Sequence, residues 1–276
     1  MKLLNFGCGS TFHPAWVNID IASSSPEVRE YDIRKNLPYP DAEFDGCYSS
    51  HVLEHFQQDE AKKLLTECYR ILKCKGVIRV VVPDLEAITR EYLSTLEKVD
   101  SGIKEAEPNY DWMMLELYDQ TVRSVGGGKM KDFLLNPIIN NKDFVRYRIG
   151  VEAQKFWEIP PDQKSLIERI MAKSPAWFLQ KLRIIIAKYL VALVAGNQAK
   201  KSFEEGIFRN SGEIHLWMYD RYSLKRLLEQ VGFIDVRVCR ADDSRIPDFN
   251  SYGLDMIEGK IRKPDSLFME AMKPER

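Results

Sequence analysis

Residues 3–20 read LLNFGCGSTFHPAWVNID and carry the first signals of the fold class. The segment Leu3–Phe6 predicts a short buried strand, and a glycine turn at 7–9 follows it directly. Glycine has no Cβ, so the backbone can turn sharply there and a ligand can lie against it. Residues 16–20 predict a second strand that ends in Asp20. A carboxylate at that point can accept hydrogen bonds from the ribose hydroxyls of a nucleoside.

The spacing within this stretch distinguishes between nucleotide cofactors. A dinucleotide fingerprint needs a third glycine, a full phosphate-binding helix and an acid about twenty residues further on. Here Asp20 comes eleven residues after Gly9, which leaves no room for that helix. S-adenosylmethionine (SAM) has no pyrophosphate and does not need it. The spacing therefore argues against NAD and is compatible with SAM, and an NAD-dependent oxidoreductase is the less favoured alternative.

Strand and helix signals alternate beyond this stretch. The predicted elements are strands at 28–33, 44–50 and 77–82, a helix at 61–72, a second helix that Asp220 begins and Gly232 ends, and strands at 233–238 and 266–272. Strand, helix and strand in this order predict an α/β fold with a parallel sheet. Asp32 and Ile33 close the third strand, where a carboxylate can accept from an adenine amino group; a surface acid is the alternative.

The middle of the chain has a different pattern of secondary-structure signals. Residues 93–206 carry no clear strand signal and predict helices at 110–122 and 175–195. We interpret 93–206 as a helical insertion, a lid or acceptor-binding region, in a cofactor-binding core formed by 1–92 and 207–276.

Bulk properties exclude several function classes. The formal net charge is −1 at pH 7, so the chain has no global field for nucleic acid. The five cysteines are scattered without a CxxC pair, which favours free thiols over a zinc cage, and no metal site is predicted. The N-terminus carries no secretory signal, so a cytoplasmic location is expected. The pattern predicts no oligomeric state.

Residues 31–56, YDIRKNLPYPDAEFDGCYSSHVLEHF, resemble class I SAM-dependent methyltransferases of the type-11 kind. In that family an LP(F/Y)PD…FD stretch precedes the fourth strand and HVLEH follows it. The resemblance implies a Rossmann-like, doubly wound, mostly parallel seven-stranded sheet with an antiparallel last strand. Within this family, the segment is similar to small bacterial enzymes of polysaccharide and nucleotide-sugar pathways. SAM is then the cofactor and S-adenosylhomocysteine the product.

The resemblance also implies a set of cofactor contacts. Gly7 and Gly9 would line the methionine part, Asp20 the ribose, and Asp32 with Ile33 the adenine. The complete predicted set is Asn5, Gly7, Cys8, Gly9, Asp20, Ile21, Asp32, Ile33, Ser49, Ser50 and His51, the last three flanking the sulfonium. The family has an acid where this chain has Asn5, which weakens a contact to the SAM amino group. A catalytically degenerate SAM-binding or scaffold protein is therefore an alternative.

Histidines supply the candidate catalytic groups. His51, Glu54 and His55 share one face if a helix begins near Ser50, and a histidine oriented by a carboxylate suits general-base work. Pocket shaping and helix capping are the alternative for His51 and Glu54, and packing is the alternative for His55. His215 is the third catalytic candidate, with a structural histidine as the alternative.

Asp84 and Tyr219 are the predicted substrate-binding residues, because Asp84 follows a strand and Tyr219 follows His215 and precedes a helix. Helix capping is the alternative for Asp84. The predicted acceptor is a hydroxyl or amine of a small molecule, such as a sugar or glycan precursor.

A basic stretch lies inside the insertion. Between 173 and 201 there are six lysines and arginines and no acid, interleaved with apolar residues. A basic amphipathic helix of this kind can make a peripheral contact with an anionic membrane. A lid helix that packs on the core with solvated lysines is the alternative, and the pattern favours it.

Overall fold

A seven-stranded sheet forms the centre of the molecule. The computed structural model describes residues 1–23, 25–157 and 175–275. Its strands are β1 (Leu3–Phe6), β2 (Val17–Asp20), β3 (Val28–Glu30), β4 (Phe44–Ser50), β5 (Leu72–Pro83), β6 (Ile234–Cys239), β7 (Met256–Ile257), β8 (Lys260–Ile261) and β9 (Ser266–Met272). The sheet order is β3-β2-β1-β4-β5-β9-β6, and β7 pairs with β8 separately.

The strand directions confirm the predicted fold class. The pairs β1–β2, β1–β4, β2–β3 and β4–β5 are parallel, whereas β9 is antiparallel to both β5 and β6. The sheet is thus mostly parallel with an antiparallel last strand. Because β9 runs in the opposite direction, its first residue, Ser266, lies beside Pro83 at the carboxyl end of β5.

The third strand is shorter than predicted. It ends at Glu30, so Asp32 and Ile33 lie in the turn that follows rather than at its end. The described residues between β2 and β3 contain no helix. A seven-residue connection from Ile21 to Glu27 is too short for a regular crossover helix, which needs a dozen or more residues in all, and β3 pairs at only three positions.

Helices cover the sheet and build the middle of the chain. They are α1 (Gln58–Ile71), α2 (Leu85–Asp100), α3 (Glu107–Val122), α4 (Gly128–Leu134), α5 (Lys142–Ile149), α6 (Val151–Trp157), α7 (Pro175–Arg209) and α8 (Arg221–Val231). Asp220 caps α8 by accepting from the N–H groups of Tyr222 and Ser223, and Gly232 ends it with φ of 109°.

Two apolar clusters fill the core. Leu65, Cys68 and Leu228 from α1 and α8 pack on one face of the sheet. The opposite face packs on the loop after β6 through Phe249, which lies beside Tyr48. These contacts fix where the carboxyl ends of the parallel strands meet.

The insertion has its own apolar centre. Trp112 on α3 is fully buried and packs with residues of α2, α4, α5 and α6. A buried ion pair between Arg148 and Glu116, 2.8 Å apart, ties α5 to α3. The predicted helix at 110–122 corresponds to α3, and no strand occurs in the described part of 93–206.

Helix α7 folds back on itself. Gly196 has φ of 83° and ψ of 176°, so the chain breaks there into helical arms at 175–195 and 197–209. Lys188 forms an ion pair with Glu204, and the Lys200 ammonium lies 5.4 Å from the centre of the Tyr189 ring. A straight helix would hold positions 188 and 204 about 24 Å apart, so the arms form a hairpin.

Candidate functional site

The turn after β1 is held tightly against the neighbouring strand. The Gly7 N–H donates to the Ile19 carbonyl at 2.8 Å, and φ at Gly7 is 65°. A Cβ at Gly7 would lie 2.5 Å from Cγ2 of Val52. Only glycine fits here without displacing a neighbour, because both the backbone angle and the space exclude a side chain.

Asp20 meets this turn from the end of β2. Its Oδ2 accepts from the Gly9 N–H at 2.8 Å, and its Oδ1 accepts from the Ala22 N–H at 3.1 Å. The glycine turn and the strand-end acid, predicted from their spacing, therefore lie in direct contact. Carboxylate oxygens have further lone pairs, so Asp20 can still accept from a ligand hydroxyl.

Asp32 carries a partner that the sequence reasoning missed. Arg34 donates to both carboxylate oxygens, from Nε at 2.8 Å and from Nη2 at 2.9 Å. The hydrogen bonds from Arg34 lower the pKa of Asp32 below its ordinary value. Ile33, which lies between these two residues in the sequence, packs against the core.

These residues surround a first cavity, which we call the cofactor cavity. Its volume is about 340 Å³, within the range of small-molecule sites. It is lined by Gly7, Asp20, Ile21, Asp32, Ile33, Arg34, His51, Val52, His55, Phe56, Glu60, Arg209, Asn210, Ser211, Gly212 and Leu216. The end of α7 thus reaches across the chain to close a cavity built from the first sixty residues.

A second cavity, the glycine-turn cavity, lies on the other side of the same turn. It has a volume of about 230 Å³ and is lined by Asn5, Gly7, Cys8, Gly9, Ser10, Thr11, Tyr48, Ser50, His51, Glu152, Arg262 and Lys263. Arg262 donates to Ser50 Oγ at 3.1 Å and to Thr11 Oγ1 at 3.0 Å. Burial raises the pKa of the Cys8 thiol to about 12, so it is protonated at neutral pH.

His51 is at the centre of the site. It follows β4 with φ of 55°, and its N–H donates to the Val81 carbonyl. Nε2 is hydrogen-bonded to Ser266 Oγ at 2.8 Å, and Nδ1 lies 3.3 Å from Glu54 Oε1. Burial lowers the pKa of His51 well below its ordinary value, which keeps the ring neutral at pH 7.

Glu54 is fully buried beneath the histidines. It lies in a short 3₁₀ turn at Leu53–His55, and neither carboxylate oxygen has a hydrogen-bond partner in the described part of the chain. Burial raises the pKa of Glu54 to about 8. Its backbone carbonyl accepts from the N–H groups of Leu216 and Trp217, which joins this turn to the segment before α8.

His55 and His215 lie next to each other on this turn. Their ring centroids are 4.9 Å apart. His55 Nδ1 lies 3.1 Å from the Ile214 carbonyl oxygen, and since a carbonyl only accepts, Nδ1 carries the proton. Nε2 of His55 therefore keeps its lone pair, 4.0 Å from Glu54 Oε1. Burial lowers the pKa of both histidines.

A third cavity, the insertion cavity, is formed mainly by the helical insertion. Its volume is about 240 Å³, and its lining is His51, Gln120, Arg123, Gly127, Met130, Lys131, Leu134, Ile149, Glu152, Phe156, Lys263 and Asp265. Burial raises the pKa of Asp265 to about 7, and burial also lowers the pKa of Lys263. His51 is the residue that lines all three of these cavities.

The structure brings most predicted site residues together. Eleven of the predicted residues line the cofactor or glycine-turn cavity: Asn5, Gly7, Cys8, Gly9, Asp20, Ile21, Asp32, Ile33, Ser50, His51 and His55. Asn5 also donates to the Thr11 carbonyl and to Asn18 Oδ1.

Four predicted residues do not line the cofactor, glycine-turn or insertion cavity. Ser49 is buried in β4, and its Oγ has no partner among the described residues. Asp84 caps α2 by accepting from the N–H groups of Glu86 and Ala87, which is the alternative interpretation of that acid. Tyr219 is buried in the core, and His215 lies behind His55.

The sequence reasoning missed the residues that precede β9. Arg262, Lys263, Asp265 and Ser266 all reach the site. A signal was present, because an antiparallel last strand begins at the edge where the parallel strands end. The run RKPD at 262–265 directly before that strand, and Ser266 at its start, therefore belong at the site.

Comparison with known proteins finds a similarity in the first part of the chain. Residues 12–80 match the family model of a methyltransferase domain, and curated protein sequences give no match. A solved SAM-dependent methyltransferase from Archaeoglobus fulgidus is similar at 13% identity and TM-score 0.38, covering 98% of this chain and 85% of that chain.

Two further solved structures are similar to this chain. An S-adenosylmethionine-dependent methyltransferase from Mesorhizobium loti has 17% identity and TM-score 0.25, covering 32% of this chain and 48% of that chain. The CurJ carbon methyltransferase has 9% identity and TM-score 0.39, covering 99% of this chain and 48% of that chain. The family match covers β2, β3, β4 and most of β5, with His51 and His55, so residues 12–80 are similar to a methyltransferase domain, and enzymes of this kind use SAM as the cofactor.

Proposed function

We propose that the protein transfers the methyl group of SAM to a hydroxyl or amine of a polar small molecule held in the insertion cavity. One observation carries the proposal: His51 lines the cofactor, glycine-turn and insertion cavities at once. A group at that junction can touch both a bound cofactor and a bound acceptor. Methyl transfer needs such a junction, because the acceptor atom must approach the methyl carbon in line.

The residues of two cavities fit the parts of SAM. Asp20 suits the ribose hydroxyls, while Ile21 and Ile33 supply apolar walls for the adenine. The glycine-turn cavity offers the Arg262 guanidinium, which suits the carboxylate of the methionine part. Glu152 lines the same cavity and supplies an acid near the position where Asn5 lacks one.

His51 is the proposed general base. Bound SAM supplies an electrophilic methyl group, and a hydroxyl acceptor then benefits from losing its proton as the new bond forms. Nδ1 faces Glu54 Oε1 at 3.3 Å, which leaves Nε2 as the nitrogen that accepts the proton. The Ser266 hydroxyl is hydrogen-bonded to Nε2. The proton of the acceptor therefore passes to Nε2 through that hydroxyl, or the acceptor displaces the hydroxyl from Nε2.

The lining of the insertion cavity supports a polar acceptor. Arg123, Lys131 and Lys263 supply positive charge, while Glu152 and Asp265 supply carboxylates. Groups of both signs around about 240 Å³ suit a compact molecule with several hydrogen-bonding groups. A sugar or glycan precursor has this chemistry, and the proposal takes it as the first class to assay.

Methyl transfer to a panel of sugars, sugar phosphates and amines, followed by mass spectrometry, tests the function. We expect a product heavier by one methylene unit. His51→Ala should lower the turnover at saturating SAM by about a hundredfold or more, the usual contribution of a general base. His13→Ala is the matched control, because His13 lies outside the three cavities. Turnover that survives in His51→Ala would remove the base assignment.

Two rival functions predict different binding data. A degenerate SAM-binding protein would bind SAM but give no product with any acceptor of the panel. An oxidoreductase would bind NADH in preference to SAM. Titration calorimetry with both nucleotides separates these outcomes, and we expect heat only from SAM and S-adenosylhomocysteine.

A further inference from the structure

Glu54, His55 and His215 form a cluster. The proposed reaction involves Glu54, as a neighbour of His51, but gives no role to His55 or His215. One ligand atom from each side chain lies within 4.8 Å of the others. All three residues are buried or half-buried. They come from two segments, the turn at Leu53–His55 and the strand-like stretch before α8, which join at this point.

The carboxylate of Glu54 points to a missing partner. Its exposed fraction is 0%, and neither oxygen accepts a hydrogen bond from the described residues. The ring nitrogens that approach it are His51 Nδ1 at 3.3 Å and His55 Nε2 at 4.0 Å. A buried ionised carboxylate without a partner costs roughly several kcal/mol, so such a group either holds a proton or is paired with a cation.

The histidines are already arranged as metal ligands. Ligating histidines usually donate one ring N–H to a carbonyl, which fixes the tautomer and aims the other nitrogen at the metal. His55 makes such a bond from Nδ1 to the Ile214 carbonyl, which leaves Nε2 directed towards Glu54. The His215 ring lies edge-on against His55, and one of its ring nitrogens lies within 4.8 Å of the ligand atoms of both His55 and Glu54.

We propose that Glu54, His55 and His215 bind one divalent ion of the zinc class. Two neutral imidazoles and a carboxylate form the donor set that suits zinc, cobalt and nickel ions, with a fourth position open. A tetrahedral ion holds its donors about 3.4 Å apart, so the three side chains approach by about 1 Å on binding. The ion compensates the charge of Glu54 and pins the segment before α8 to the carboxyl end of β4.

Metal content tests the proposal without an activity assay. Purified protein is stripped with a chelator, incubated with Zn²⁺ or Co²⁺, dialysed, and measured by mass spectrometry of the metal. We expect one ion per chain in the wild type, and a visible absorption spectrum of tetrahedral type with Co²⁺. The variant His215→Gln should lose both signals. His13→Ala, a histidine outside the cluster, should keep them.

The outcomes are decisive in both directions. If the wild type retains no metal, or if His215→Gln retains as much as the wild type, the site does not exist. Should His215→Gln fail to fold, thermal unfolding of the wild type provides the second measurement. Zn²⁺ must then raise the melting temperature of stripped wild type and His13→Ala alike, and no rise overturns the proposal. Calorimetric SAM binding is independent of these results.

The hairpin of α7 carries a second, independent inference. Most of its large apolar side chains are exposed in the described part of the chain, and at the tip Leu193 is 82% and Val194 is 86% exposed. No helix in the described residues is long and apolar enough to cross a membrane. The favoured sequence interpretation, a lid packed on the core, therefore does not account for these side chains.

The charges of the hairpin indicate what covers it. From 175 to 209 there are six basic and two acidic side chains, and both acids lie far from the tip at 204 and 205. Lys188, Lys200 and Lys201 flank the apolar tip at 191–195 on both arms. Apolar residues at a tip with lysines behind them match the boundary between lipid tails and anionic headgroups.

We propose that the hairpin docks on an anionic lipid surface with its tip inserted. Co-sedimentation with vesicles of phosphatidylglycerol and phosphatidylcholine tests this, with pure phosphatidylcholine as the uncharged comparison. We expect several-fold more protein bound to the anionic vesicles at low salt than at high salt. The double variant Leu193→Glu/Val194→Glu should lose this binding.

A matched control separates insertion from general surface charge. Leu135→Glu/Ile138→Glu changes two exposed apolar residues outside the hairpin, and it should bind like the wild type. Absent binding to anionic vesicles, or equal binding of the two double variants, contradicts the proposal. A dimer in light scattering that the tip variant abolishes would identify a second copy as the occupant and also overturn it.

Discussion

Gly7 shows how a single residue sets the geometry of the cofactor cavity. Its positive φ and its closeness to Val52 leave no room for a side chain. The turn in which it lies could be predicted, because a glycine pair directly after an apolar strand is typical of a sharp turn at the strand end. The contact with Val52 could not, because it depends on residues forty-five positions apart in the sequence.

Replacing Gly7 with alanine tests that geometry. We expect Gly7→Ala to lower the free energy of unfolding by about 2–4 kcal/mol, since it combines backbone strain with a clash. Gly9→Ala is the matched control, because a Cβ there meets no atom within 4 Å. It should cost about 1–2 kcal/mol, from backbone strain alone. Denaturant unfolding measures both, and equal losses would show that the Val52 contact is unimportant.

Replacing Asp20 with asparagine tests the ribose contact. The amide keeps one acceptor for the Gly9 N–H but removes the negative charge. Hydrogen bonds to charged groups contribute about 1.5–3 kcal/mol, so SAM affinity should fall about tenfold to a hundredfold. Calorimetry measures the change, with Asp143→Asn as the control because the Asp143 side chain is fully exposed. Unchanged affinity would place the ribose elsewhere.

Other residues mark the limits of sequence reasoning. Asp84 follows a strand at the correct edge of the sheet, yet it caps α2, because the chain enters a helix one residue later. Helix capping and ligand binding use the same carboxylate in the same place, and the sequence does not separate them. The cluster of Glu54 and His215 was hidden for another reason, since the two residues are far apart in the chain.

At the scale of elements, β5 depends on a buried charge network. Arg79 is fully buried and pairs with Asp255 at 2.7 Å and Glu270 at 3.0 Å. It also donates to the carbonyls of Arg240, Ala241 and Asp243. The network joins β5, β9 and the loop after β6.

Removing this arginine should be strongly destabilising. Arg79→Leu leaves Asp255 and Glu270 buried without their main partner, so the free energy of unfolding should fall by about 3–5 kcal/mol. Arg240→Leu is the control, because that side chain is 82% exposed and its ion pair among the described residues is with Asp242. It should cost less than about 1 kcal/mol. A loss in Arg79→Leu no larger than in the control would contradict the network's importance.

Most elements were predictable because their signals are local. The helix α8 has an acid cap, an apolar face and a terminal glycine within one short stretch, and the structure places it there. The strand β3 was predicted too long, because β-branched residues continue to Ile33 while the sheet edge supplies only three pairing positions. The helix predicted at 175–195 ends where the first arm of α7 ends, but the second arm at 197–209 was not predicted.

At the scale of the whole molecule, the cofactor cavity joins distant parts of the chain. The core segment supplies Asp20, and residues 209–212 supply the opposite wall from the end of α7. The core fold was predictable from strand order. The wall at 209–212 was not, because these residues were assigned to the core without any signal that they line a cavity.

Hydrogen exchange should detect this wall. We expect saturating SAM to slow amide exchange at 7–10 and at 209–212 together, since both segments border one ligand. The exposed hairpin tip at 191–195 is the internal control and should exchange equally with and without SAM in the absence of lipid. Protection confined to 7–10 would show that the end of α7 does not contact the cofactor.

The position of β9 between β5 and β6 has a consequence for biosynthesis. The ribosome synthesises β5 long before β9. The nascent chain therefore holds β5 with one unpaired edge from residue 83 until residue 266 has been synthesised. Unpaired apolar edges recruit foreign strands. The nascent chain is therefore prone to aggregation during this interval. The interval ends when β9 pairs between β5 and β6, which brings Ser266 next to His51.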